Sequence, residues 1–330
     1  MYDRLKSHGL DRKYIHAAVL PDWWDDNLSD NDSNRLMAEM SIARFLGVPV
    51  KRLRDPDGGE LTLAHEVRLK RNRNAEVSEV TGAVAAASHA ARLTAKLLED
   101  RLPFTGRRPA LEIRNQLLAR PECTWPDLEN LISYCWEHGI AVIHVTSLPK
   151  ISKAIDGLAT FVGDRPVIVL ASGRDGPAWL AFHLAHEIGH IMCGHVKPGD
   201  SPLVDIKLDS ANDEDQEREA DEYAFEILTG DPDPQFGGRG MRADALATAA
   251  HQFGEKHRIH PGTVALIYGY CQRRIPLAQA ALKAMSEDHG ARQILAEAFR
   301  EHVPLDDLPD AFQRSLSAMT QIFGHPQVAD

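Results

Sequence analysis

His186-Glu187-Ile188-Gly189-His190 reads H-E-x-x-H inside the apolar run Trp179–Ala185. On a helix, residues four apart share a face, so the rings of His186 and His190 can hold one zinc ion. Glu187 then projects to the flank, where a carboxylate can take a proton from water activated by the metal. The plainer reading is a helix that happens to carry two histidines. The surroundings argue against it. Phe182, Ala185, Ile188, Gly189 and Ile191 make the segment largely apolar, and buried imidazoles with a carboxylate are costly without a partner. Gly189 lowers helix propensity but allows another backbone to approach closely.

A catalytic zinc takes three protein ligands and keeps one position open. His195 is the nearest candidate. The extended pattern H-E-x-x-H-x-x-G-x-x-H, however, needs a glycine at position 193 and a histidine at position 196, and the chain has Cys193, Gly194, His195 and Val196 there. That one-residue shift disfavours His195. Cys193 is metal-competent and also suits a small buried hydrophobe. The better candidate lies downstream. Residues 217–228 carry Ala220, Ala224, Ile227 and Leu228 at helical spacing, with Glu217 and Asp221 four apart on one face. A Glu ligand and an Asp that accepts the second ring N–H of a histidine ligand suit a zinc site. The competing reading is a solvated acidic face, continuing Asp209, Asp213, Glu214 and Asp215.

The pair of motifs, H-E-x-x-H and then Glu217-x-x-Ala220-Asp221-x-Tyr223-Ala224-x-Glu226-Ile227-Leu228, resembles the ImmA/IrrE family of bacterial zinc metallopeptidases. The run from His260-Pro261-Gly262-Thr263-Val264 through Ile267-Tyr268 to Gln272-Arg273 is similar to the segment that closes that family's domain. The resemblance covers roughly residues 111–275. Asp221 stands where the family has Asn, Tyr223 where it has Phe, and Thr229-Gly230-Asp231-Pro232 where Met-Pro is common; none of these removes a ligand. The resemblance implies Glu217 as third ligand, Zn2+ as cofactor, and a selective protease acting on repressor-like regulators in stress or mobile-element circuits. His260 and Tyr268, named from the closing motif, are the candidates to support the tetrahedral oxyanion.

The elements that must position these groups follow from the rest of the chain. Pro177 suits the first turn of the zinc helix. Residues 140–145 form a β-branched apolar run, and residues 158–162 and 166–170 flank a hairpin-like turn at Gly163-Asp164-Arg165. The expected fold is α+β: a mostly helical chain with a small antiparallel or mixed sheet packed beside the zinc helix, a zincin-like core. An edge strand of that sheet could pair with an extended substrate. Three parts are expected: a helical segment 1–110, a peptidase domain 111–275 and a helical segment 276–330. The loop around Asp231–Gly240 reads as a lid or a plain surface loop.

Ala43–Arg54 resembles a degenerate helix-turn-helix with Lys51, Arg52 and Arg54 on its second helix. Pro56 and Gly58-Gly59 shorten that helix, which disfavours DNA reading. A second basic stretch, Arg68, Lys70, Arg71 and Arg73, keeps nucleic acid open as a partner of the N-terminal segment. Trp23 and Trp24 suit helix anchors better than base stacking. Charge is uneven: residues 1–120 hold 20 Lys+Arg against 17 Asp+Glu, while the chain as a whole carries −11. Nucleic acid would therefore be repelled by the larger acidic part. Cys123, Cys135, Cys193 and Cys271 are scattered without paired spacing, which suits reduced thiols in a cytoplasm. No membrane span or signal peptide is expected. The alternative to a peptidase is a DNA- or repressor-binding regulator with a structural zinc, which would have no need of Glu187; a non-peptidase zinc hydrolase is a third reading.

Overall fold

The computed structural model describes residues 2–54, 68–69, 77–98, 103–149, 155–200, 202–205, 211–237, 240–306 and 308–323. The first part comprises α1 (Tyr2–Ser7), α2 (Arg12–Ala18), a 3-10 turn (Asp26–Asp30), α3 (Asp32–Leu46) and α4 (Val50–Arg54). Then come β1 (Arg68–Leu69), α5 (Val77–Leu97), α6 (Ala110–Leu118) and α7 (Leu128–Glu137). The central part holds β2 (Ala141–His144), β3 (Gly157–Val162), β4 (Arg165–Leu170), α8 (Pro177–Cys193), β5 (Leu203–Asp205) and α9 (Ala211–Thr229). The chain continues through α10 (Ala243–His257), α11 (Pro261–Cys271), α12 (Ile275–Ala284), α13 (Ala291–His302) and α14 (Asp310–Met319). Among the described residues this is a mostly helical α+β fold with a mixed sheet, as the sequence led us to expect.

The sheet has the order β1-β5-β3-β4-β2. β3 and β4 form the expected hairpin, with Val162 opposite Arg165 and Gly163 at φ +60° in the tight turn. β2 lies parallel to β4, with Ala141 opposite Val167. Successive residues of β2 and β4 are buried, so both faces of the sheet are covered, and their sequences read as continuous apolar runs rather than alternations. α5 and α8 both pack on this sheet. α5 is buried around its middle, with Ala83, Val84, Ala85, Ala86, Ala87, Ala90 and Ala91 all enclosed; small side chains let it lie close to its neighbours.

One apolar cluster runs from Leu5 through α5 and the sheet to Ile322, while smaller clusters join α10, α11 and α12. α14 reaches back to α2, where the Ser315 hydroxyl donates to the Ala18 carbonyl at 2.7 Å. α3 ends at Gly47, φ +68°, and α4 follows with only five residues. Arg54 on α4 is paired with Glu39, its Nε 2.7 Å from the carboxylate. Trp24 is buried and its indole donates to Asp26, whereas Trp23 is exposed. Pro56, Gly58, Gly59, Lys70, Arg71, Arg73 and the Gly238-Arg239 pair lie outside the described residues. Among the described residues, no helix is long and apolar enough to cross a membrane.

Candidate metal centre

α8 begins at Pro177, whose fixed φ suits the first turn, and ends at Gly194, φ +83°. The glycine adopts the left-handed conformation that closes a helix, and the N–H of His195 returns to the His190 carbonyl at 3.0 Å. Between these ends His186, Glu187 and His190 are buried, exposed by 5%, 2% and 1%. The two histidines are one turn apart, and their Nε2 atoms face each other at 3.0 Å.

α9 supplies the third group because it crosses α8 at Gly189. A Cβ on that glycine would lie 3.0 Å from the Ala220 carbonyl oxygen and 3.1 Å from its Cα. The close crossing brings the Glu217 carboxylate to 3.4 Å from His186 Nε2 and 3.0 Å from His190 Nε2. Tetrahedral zinc with bonds of about 2.0–2.1 Å separates its ligand atoms by about 3.3 Å. Two imidazole nitrogens and a carboxylate oxygen, separated by 3.0–3.4 Å, therefore fit such an ion in both donor type and spacing.

The surrounding bonds orient these groups. Asp221, one turn beyond Glu217, lies 2.9 Å from His186 Nδ1. His190 Nδ1 lies 2.9 Å from Nδ1 of His195, whose Nε2 is 3.0 Å from Glu219. His195 is therefore outside the three-residue group yet bonded directly to one of its members, an arrangement the sequence reading missed. The available signal was Gly194: a left-handed glycine folds the next residue back over the last turn. Cys193, His195 and Glu219 form a second group whose donor atoms lie within 4.8 Å of one another. Burial, and then the Glu219 carboxylate beside it, push the Cys193 thiol up to about 12.

Glu187 packs against β3. A Cβ on Gly157 would stand 2.2 Å from its Oε1 and 2.9 Å from its Cδ, so only glycine leaves room for this carboxylate. Nothing in the residues around Gly157 singled it out beforehand. At Gly157–Ala159 β3 is bonded to β4 on one side and β5 on the other, so the strand beside Glu187 is interior at these residues, and the sheet's edges are β1 and β2.

Tyr268 lies on α11 and His260 immediately precedes its first residue, both outside the three-residue group. His260 caps that helix, accepting from the Gly262 N–H at 3.1 Å, with its ring 5.5 Å from that of Trp125 and Nε2 3.7 Å from Glu287. Burial holds its pKa below the ordinary histidine value, outweighing the opposite pull of Glu287. Tyr268 packs with Leu246, Ala250 and Val264 and lines a cavity of about 530 Å³. The last turn of α9 is anchored from behind. The Arg114 guanidinium donates to the carbonyls of Ile227 and Leu228, at 3.0 and 2.8 Å, and to that of Arg258 at 2.9 Å. The Tyr223 hydroxyl donates to the Arg108 carbonyl.

Residues 178–263 match the model of the family Peptidase U49. The match is to a peptidase. It spans α8, α9 and the start of α11, and so includes all three residues of the metal-capable group. No curated protein and no solved structure matches the chain.

Proposed function

We propose that this protein is a zinc-dependent endopeptidase in which His186, His190 and Glu217 hold the metal and Glu187 is the general base. The observation that carries this reading is the convergence of two buried imidazoles and the half-buried Glu217 carboxylate, with Glu187 buried at the position after His186, inside the region that matches a peptidase family. A zinc ion held there supplies a lowered water pKa and polarisation of the scissile carbonyl. The chain does the rest. Asp221 and His195 hold the two imidazoles with their Nε2 atoms turned toward Glu217. Gly157 leaves the space in which the Glu187 carboxylate lies. From the position after His186, Glu187 accepts the proton of the attacking water and returns it to the leaving amine.

The resemblance to ImmA/IrrE proteins and the Peptidase U49 match both favour peptide-bond hydrolysis over other zinc hydrolysis. A cytoplasmic repressor-like transcription regulator is the substrate we propose, on the resemblance alone. For His260 and Tyr268 the contacts support best a role in holding α11 in place, by helix capping and by packing. Zinc-loaded protein and Glu187→Gln are to be incubated with candidate repressors. Cleavage by the wild type, and none by a variant that still holds zinc, is the expected result. Cleavage at the wild-type rate by the variant would remove Glu187 from the role of base.

A further inference from the structure

Two groups of metal-capable side chains lie side by side at the α8–α9 crossing: His186, His190 and Glu217, and then Cys193, His195 and Glu219. They are connected, because His190 Nδ1 and His195 Nδ1 are 2.9 Å apart. One of these nitrogens must donate and the other accept. With a metal on His190 Nε2, the ring proton of His190 is on Nδ1, so His190 is the donor. His195 must then accept through Nδ1 and carry its own proton on Nε2, which faces Glu219 at 3.0 Å. The order of protons is fixed from the first group outward to the carboxylate.

We propose, on the reading that the first group holds the metal, that His195 and Glu219 are a positioning relay for His190, and that the relay makes the two groups mutually exclusive as metal sites. A metal on His195 Nε2 would need that lone pair and would move the ring proton to Nδ1. It would then face the Nδ1–H of His190, donor against donor, at the separation observed. His186 and His190 are thus backed alike, His186 by Asp221 directly and His190 by Glu219 through one intervening imidazole. Partners of this kind fix the tautomer and raise ligand basicity, and losing one costs about 10–100-fold in metal affinity.

The test combines zinc titration with 15N NMR of the histidine rings in the zinc-loaded full chain. One zinc per chain is expected, with His190 protonated on Nδ1 and His195 on Nε2. His195→Ala should weaken zinc binding by about 10–100-fold. His195→Gln, which offers both an acceptor and a donor, should recover part of the loss. Glu219→Ala alters a largely exposed side chain, so it reports on the relay without threatening the fold; a smaller loss in the same direction is expected. A second zinc binding beside the first, a proton on His195 Nδ1, or unchanged affinity in His195→Ala would overturn the relay alone. A wild-type chain that takes up no zinc would overturn the relay and the metal-site reading together.

Discussion

The two groups at the α8–α9 crossing share a helix end and a helix face, and both contain a histidine and a glutamate, yet they differ in what they can do. In the first, His186 and His190 are almost fully enclosed, the Glu217 side chain is 24% exposed, and three donor atoms converge on one point. In the second, the Glu219 side chain is 59% exposed and His195 is engaged with His190 through Nδ1 and with Glu219 through Nε2. Residue type and proximity are alike in the two groups. What separates them is where the lone pairs point and which protons are already assigned. A metal-capable trio becomes a backing structure when its imidazole is needed to orient a neighbour.

The largest effect should come from the first group. His190→Ala should weaken zinc by more than the about 100-fold expected from loss of an outer partner, whereas Cys193→Ser should leave affinity unchanged; competition with a chelator measures both. The reverse ranking would assign the metal to the second group. Next, Glu187→Gln should lower turnover by about 10²–10⁴-fold while keeping zinc, as loss of a general base does. Gly157→Ala should follow at about 10²-fold, since its new Cβ would displace the Glu187 carboxylate and misplacement of about 1 Å costs that much. Zinc content in that variant should match the wild type, which separates a displaced base from a damaged metal group. Asp221→Ala should cost about 10–100-fold in zinc affinity through His186. The smallest effect is expected for Glu219→Gln, which keeps an acceptor for His195 and stays on a largely exposed side chain.

Much of the first group was legible because its spacing is local. His186 and His190, and separately Glu217 and Asp221, are four apart on helices marked by their apolar periodicity. Gly189 signalled a close crossing, and Ala220 is the backbone that meets it. The β3–β4 hairpin was legible from two apolar runs around Gly163-Asp164. Other features depend on contacts between distant segments. Gly157 matters only because Glu187, far along the chain on α8, packs against its Cα. The part played by His195 needs both the left-handed turn at Gly194 and the arrival of Glu219 on α9. β1 and β5 span two and three residues, too short to carry a pattern. Nothing local sets the ring directions of His260 and Tyr268; in the fold His260 lies beside Trp125 and Tyr268 packs with the α10 cluster.

X-ray absorption at the zinc edge of the loaded protein decides between the two groups as the place of the metal. One zinc per chain is expected, with nitrogen and oxygen neighbours at about 2.0–2.1 Å, two of them imidazoles, and no sulfur in the coordination shell. A zinc–sulfur distance of about 2.3 Å would place the metal on Cys193 and contradict its assignment to the first group.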